Sequence, residues 1–225
     1  MIRVFQACHL LAQAKWSQAE KKLAKALKMA QDFLEEEDET AEDIEKETGI
    51  IQVQIAFAKQ MQGNEREAQA MYNQVLKTKP TDIGLVAVAS NNLLTLNKDQ
   101  NIFDSKKRIK AATADGLEHK LTTGHRRAIA RNNALLAMYT NQVDVCRQLI
   151  KELGDNFAPA DAEDAGMIES GVLARAGKTA DAVQLLVSLA SKDKDARKKL
   201  EKSLIAAQVR IFALFYIYSF RRSLF

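Results

Sequence analysis

The sequence predicts an all-α protein, a right-handed superhelical solenoid of about five stacked helix pairs. Ala, Leu, Lys, Gln and Glu are abundant, whereas aromatic residues make up only 6% of the 225 residues, which favours helix over strand. Nine glycines and two prolines are too few for long structureless linkers. Small residues also recur beside turn-forming residues at intervals close to the length of one helix pair.

The clearest single unit runs from Gly49 to Pro80. Two amphipathic helical patterns flank a turn at Gly63-Asn64, and the proline ends the second helix. Ala68 is small enough to let the two helices cross closely. A helix–turn–helix of about 34 residues with these features is typical of the tetratricopeptide repeat, whose stacked copies hold another chain in a groove. The pattern therefore favours a binding scaffold over an enzyme.

Five units can be aligned on one position of each second helix. We assign that position to Ala19, Ala68, Ile102, Cys146 and Ala182. The intervals are 49, 34, 44 and 36 residues, so two of them contain insertions. The third unit is the most degenerate of the five.

The units define the expected domain organisation. Residues 1–190 form the repeat array, with an acidic insertion at 35–48 that extends a helix or loops out. A C-terminal helix is expected over 191–210. Residues 211–225 are an atypical aromatic tail with no helical or strand period.

Charge is distributed unevenly along the chain. The formal net charge is +4, but residues 31–49 hold ten acids and one lysine, so the remainder carries +13. Two basic clusters are candidate contacts for phosphates or for an acidic partner. They are Lys106, Lys107, Arg108 and Lys110, and His125, Arg126, Arg127 and Arg131. The alternative interpretation is that these charges only solvate helix faces.

Three residues are candidates for a partner-binding groove. Phe57, Asn91 and Asn92 fall where the first helix of a repeat faces the groove. Phe57 has the alternative of a place in the core. The two asparagines are adjacent, so at most one is expected to face inward.

Catalytic and cofactor-binding motifs are absent from the sequence. There is no phosphate-binding glycine loop, dinucleotide fingerprint or paired Cys-x-x-Cys. His9, His119 and His125 lack the neighbours of a metal site, and two cysteines, Cys8 and Cys146, are too few for a disulfide framework. We expect no enzyme activity, no metal and no cofactor. No stretch of about 18 apolar residues predicts a membrane span.

The segment from Lys79 to Lys110 is more particular than a generic repeat. It contains Lys-Pro-Thr-Asp, an Asn-Asn pair, Asn-Lys-Asp-Gln and Phe-Asp-Ser-Lys-Lys. In these strings, and in NNALLAMYTNQVDVCRQ at 132–148, the chain resembles the seventy-two-kilodalton-class protein subunits of the eukaryotic signal recognition particle. The resemblance extends over roughly 4–189.

This resemblance implies a scaffold in a cytoplasmic ribonucleoprotein that associates with the endoplasmic reticulum. In that family a helical-repeat array binds the sixty-eight-kilodalton-class partner subunit, and a basic C-terminal segment binds the particle RNA. The array of that family begins before the position matching Met1, and its chain continues past the match to Val209 into the RNA-binding region. We therefore expect a fragment without the RNA-binding segment. The rival functions are a general repeat adaptor that captures a peptide in its concave groove, and an RNA-binding protein in its own right.

Overall fold

The computed structural model describes residues 2–97, 101–156 and 160–190. These residues form ten α-helices and no strand. In chain order the helices are α1 (Ile2–Ala12), α2 (Trp16–Glu36), α3 (Ala41–Met61), α4 (Glu65–Lys77), α5 (Ile83–Asn97), α6 (Ile102–Ala112), α7 (Thr123–Tyr139), α8 (Val143–Asn156), α9 (Ala160–Arg175) and α10 (Thr179–Ala190). Within each unit, most helices that are adjacent in sequence pack against each other, which confirms the tetratricopeptide-like class. The segments 191–210 and 211–225 lie outside the described residues.

The chain divides into two compact units. Of the described residues, the first unit holds 2–97 and 103–120, and the second holds 101–102, 121–156 and 160–190. In the first unit α1 packs on α2 and α3 on α4, while α3 also contacts α2 and α5. In the second unit α7 packs on α8 and α9 on α10, and both α7 and α8 contact α9. Contacts between first helices, α3 with α5 and α7 with α9, are the stacking expected of helical repeats.

A left-handed residue ends the first helix of four pairs. These residues are Ala14, Gly63, Asn141 and Gly177, with φ of 56°, 89°, 59° and 77°. In each case the N–H of the next residue donates to the carbonyl five residues earlier at 2.9 Å, and the second helix begins one residue later. The bond satisfies a carbonyl at the helix end and reverses the chain. Glycine and asparagine tolerate this conformation, which explains the recurring turn residues.

The fourth residue of each second helix is buried against the first helix. Ala19, Ala68, Cys146 and Ala182 occupy this position, as the alignment predicts. In the third unit the alignment is wrong. Ile102 begins α6 and is exposed, whereas Ser105 is the buried fourth residue. Its hydroxyl oxygen accepts a 3.5 Å hydrogen bond from Asn97 Nδ2, which makes a polar side chain tolerable there.

The acidic insertion lengthens two helices. Both α2 and α3 contain 21 residues, and the acidic residues occupy the end of the first and the start of the second. Asp38 has φ 59° in the turn between them. Thr40 then caps α3, since its hydroxyl oxygen accepts the N–H of Asp43 at 3.2 Å. Acidic side chains in this first turn also stabilise α3, because they interact favourably with the positive end of the helix dipole.

The core of the first unit lies between α3, α4 and α5. Eight buried side chains form it: Val53, Ala56, Ala68, Tyr72, Val75, Leu85, Ala89 and Leu93. In the second unit α7, α8 and α9 share a smaller core that includes Ala134, Met138, Cys146 and Ile168. Within the described ranges no helix has both the length and the apolar character needed to cross a membrane.

The left-handed turns give a first prediction. A Cβ at Gly63 would meet no atom within 4 Å, so Gly63→Ala adds backbone strain without a clash and should cost roughly 1 kcal/mol. Ala14→Gly should instead stabilise the chain by roughly 0.5 kcal/mol, because it relieves the same strain. Urea denaturation measures both changes.

Gly154→Ala is the matched control for these turns. A Cβ at Gly154 also meets no atom within 4 Å, but this residue lies inside α8 with helical backbone. The alanine should therefore be neutral or stabilising. An equal loss at Gly63 and Gly154 would contradict the strain argument.

Candidate partner-binding surface

Two faces of helix α3 carry its buried apolar side chains. Ile55 packs with Leu23 of α2 on one face, while Val53 and Ala56 belong to the core shared with α4 and α5. The third face carries Ile50, Gln54 and Phe57, which are spaced four and three residues apart and so lie together on the helix. Ile50 is 51% exposed, and the other two are half-buried.

Helix α1 contributes to the same surface. Gln54 Nε2 donates to Cys8 Sγ at 3.5 Å, which places these two side chains together. Phe5 lies one turn before Cys8 and is 71% exposed, and Ile50 lies one turn before Gln54. Each helix thus carries an exposed apolar side chain one turn before the contact between Cys8 and Gln54. We call Phe5, Cys8, Ile50, Gln54 and Phe57 the first-helix surface.

Gln54 has an unused acceptor in this surface. Its Oε1 atom is buried and has no hydrogen-bond partner within the described part of the chain. A buried acceptor without a donor costs free energy, but a bound chain cannot reach this atom unless the Gln54 side chain rearranges. The first-helix surface therefore offers apolar contact area.

Phe57 is partly packed and also lies on the first-helix surface, so it combines the core and groove positions that the sequence leaves open. Its ring meets Trp16 edge to face, with ring centroids 5.7 Å apart and an interplanar angle of 86°. This contact joins α3 to the start of α2 and leaves the ring half-buried. Phe57 is thus held in place by packing while it lies on the first-helix surface.

Asn91 and Asn92 are both buried in the first unit. The expectation that at most one of them faces inward is wrong, because α5 is enclosed on most of its circumference. Asn92 Nδ2 donates to Tyr72 Oη at 3.1 Å, and that hydroxyl donates to Gln60 Oε1 at 2.8 Å. Gln60 Nε2 in turn donates to Thr95 Oγ1 at 3.0 Å. This network ties α3, α4 and α5 together, and the burial raises the pKa of Tyr72 well above its usual value.

Removing the Tyr72 hydroxyl tests this network. Tyr72→Phe leaves a buried Gln60 acceptor and a buried Asn92 donor without their partner. We expect a loss of about 1–3 kcal/mol in the free energy of unfolding. Thermal and urea melts measure it, and a change within experimental error would contradict the structural role of the network.

The first basic cluster is only partly available at the surface. Lys106, Lys107 and Lys110 are exposed on α6. Arg108 is partly buried, and its guanidinium donates to Asp104 Oδ2 at 3.2 Å and to Asn73 Oδ1 at 3.3 Å. This arginine holds α6 against α4, so the three lysines are the free cations of the cluster.

The second basic cluster lies on α7 in the second unit. Arg126 is exposed and donates to Thr123 Oγ1 at 3.4 Å, and Arg127 is half-buried. Arg131 is buried, and its guanidinium donates to Asp164 Oδ2 of α9 at 2.8 Å. Assigning Arg131 to a surface cluster is therefore wrong, because it forms an internal ion pair.

The described residues do not suggest a reactive centre. Burial raises the pKa of the Cys146 thiol to about 11, and the nearby Glu169 carboxylate adds to the shift, so the thiol stays protonated near neutral pH. No three His, Cys, Asp or Glu side chains of the described ranges come together as metal ligands. The first-helix surface remains the candidate site.

Comparison with known proteins identifies the family. No protein-family model matches the chain. Its relatives include signal recognition particle subunit SRP72 from dog, which is 42% identical over 210 residues, 91% of this chain. The human protein of the same name is 41% identical over 210 residues, and the Caenorhabditis elegans one is 33% identical over 181 residues, 80% of the chain. The chain spans 30% of the length of the dog and human relatives. It belongs to the SRP72 family of signal recognition particle subunits.

Proposed function

We propose that the chain is a non-catalytic scaffold within the signal recognition particle that binds the sixty-eight-kilodalton-class partner subunit. Its role would lie in co-translational targeting of secretory proteins to the endoplasmic reticulum, from the cytoplasm. Membership of the SRP72 family supports a place in that particle. The observation that carries partner binding is the first-helix surface, where Phe5 and Ile50 are exposed, each one turn from the contact between Cys8 and Gln54.

The physical argument rests on apolar burial. Ile50 is half exposed, so covering it with a partner chain gains about 1 kcal/mol, and covering Phe5 gains a similar amount. Binding of this kind is not screened by salt, unlike contact through surface charges.

A general repeat adaptor is the second candidate. It would use the same exposed apolar pair to capture a peptide in its concave groove. The two functions differ in selectivity, because an adaptor binds many apolar peptides with similar affinity. A panel of unrelated peptides separates them, since only the partner subunit should bind tightly if the first function is correct.

Co-purification tests the proposal. The tagged chain is expressed together with the partner subunit and washed in about 1 M salt, where the Debye length falls to about 3 Å. The parent chain should retain the partner, and Ile50→Glu should lose at least about tenfold of it. Met29→Glu is the matched control, because Met29 of α2 is 52% exposed and lies outside the first-helix surface.

The Met29→Glu control separates a loss at the first-helix surface from a general effect of an added charge. Equal loss in both variants, or no loss in the Ile50 variant, would contradict the proposed surface. Loss of the partner from the parent chain at this salt concentration would contradict the apolar mode of binding.

A further inference from the structure

Helix α6 has two chemically distinct sides. Ser105, Ile109 and Ala112 are buried in the first unit. The opposite side carries Phe103 and three lysines, at positions i, i+3, i+4 and i+7. This spacing places all four on one face of the helix. We call Phe103, Lys106, Lys107 and Lys110 the α6 face.

Phe103 is unusual among the apolar residues of the chain. Its side chain is 85% exposed, the highest value among the large apolar side chains of the described ranges. A ligand that covered this ring would gain free energy by removing its apolar surface from water. Here it stands within one turn of two exposed lysines, where a flat anionic ligand would meet both.

The positive charge of the face is not neutralised. Asp104 is the only acid in α6, and its Oδ2 accepts Asn97 Nδ2 at 2.8 Å and Arg108 Nε at 3.2 Å. Both contacts lie toward the packed side of the helix. No described carboxylate lies within ion-pair distance of the three lysines.

We propose that the α6 face binds single-stranded RNA. The lysines would contact backbone phosphates, and a base would stack on Phe103. Lys110 lies four residues after Lys106, about 6 Å along the helix axis, so these flexible side chains reach successive phosphates. An acidic peptide would use the lysines but would gain little from the ring.

Binding of a single strand to the α6 face predicts two separable quantities, the salt dependence of the affinity and the affinity gained by stacking. Three phosphate contacts give a slope of about −2 for the logarithm of affinity against the logarithm of salt concentration, because each contact contributes about −0.7. Stacking of one base contributes about tenfold in affinity and is nearly independent of salt. Charge and stacking can therefore be removed one at a time.

The experiment uses the 225-residue chain and a fluorescent single-stranded oligoadenylate, with anisotropy measured over a range of salt concentrations. Phe103→Ala should weaken binding about tenfold and leave the salt slope unchanged. Replacing Lys106, Lys107 and Lys110 together with Ala should reduce the magnitude of the slope by about 2. Both variants should melt like the parent, because these side chains are exposed.

A second set of lysines provides the control for net charge. Lys21, Lys25 and Lys28 are exposed on α2 in the same unit, and replacing them with Ala removes the same charge. This variant should bind the oligonucleotide nearly as well as the parent. An equal loss in both triple variants would overturn the proposal, because binding would then be general attraction.

Two further ligands test the chemical class. An RNA duplex of equal length hides its base faces, so Phe103→Ala should not change its affinity. The proposal would be overturned if the Phe103→Ala variant bound the single strand as tightly as the parent. An oligoglutamate peptide that binds as tightly as the RNA would also overturn it, in favour of an acidic protein partner.

Discussion

Replacing Ala68 with Arg should lower the free energy of unfolding by more than about 3 kcal/mol. Ala68 has no exposed surface and lies in the core between α3, α4 and α5. An arginine there forces the helices apart and buries an unpaired charge, and both effects act in the same direction. Thermal and urea melts monitored by circular dichroism measure the loss.

Ala70→Arg is the control for helix propensity and net charge. Ala70 lies on the same helix, α4, two residues away, and is exposed. The same substitution there should change stability by less than about 0.5 kcal/mol. Similar melts for the two variants would contradict the burial of Ala68 and the helix pairing built on it.

Replacing Asp164 with Asn should destabilise the second unit by about 3 kcal/mol or more. The Arg131 and Asp164 side chains are only 2% and 10% exposed, and their ion pair joins α7 to α9. Asparagine has the shape of aspartate but no charge, so the variant removes the carboxylate that faces the buried arginine. Urea denaturation measures the change.

Glu169→Gln is the matched control in the same unit. Glu169 pairs with Arg147 at 2.9 Å, but the two side chains are 25% and 50% exposed. Removing this charge should cost less than about 1 kcal/mol, because water solvates the remaining arginine. Exchanging Arg131 and Asp164 together for Met and Leu should recover most of the stability lost by Asp164→Asn. Failure of that recovery would contradict the buried-charge explanation.

The repeat fold was predictable because its determinants are local. A left-handed residue ends the first helix, and a small residue occupies the fourth position of the second, so both recur at a readable spacing. The alignment missed Ser105 because a search for apolar residues passes over a buried serine. Its hydrogen bond with Asn97 depends on tertiary structure and has no sequence pattern of its own.

The buried polar groups were not predictable for a related reason. Arg131 and Asp164 are 33 residues apart, and Gln60 and Thr95 are 35 residues apart. Polar residues are assigned to the surface by default, and only the packed fold shows which of them meet inside. The sequence pattern therefore places Arg131 with its exposed neighbours on α7.

The first-helix surface was only partly predicted. Phe57 was recognised as a candidate, but Phe5 and Ile50 were not. A pattern that points to Ile50 does exist, since Ile50, Gln54 and Phe57 follow one helical stripe of α3 that is separate from its two packing stripes. The role of Phe5 requires the contact between Gln54 and Cys8, which joins residues 46 positions apart.

Site-specific photocrosslinking tests the central claim, that a partner subunit binds the first-helix surface. A photoreactive phenylalanine analogue is placed at Ile50 or, in a second sample, at Met29, two sites of nearly equal exposure in the same unit. Irradiation of the complex with the sixty-eight-kilodalton-class subunit should give a covalent adduct from position 50 and little from position 29. An adduct from position 29 alone, or none from position 50 while the two chains co-purify, would contradict the account.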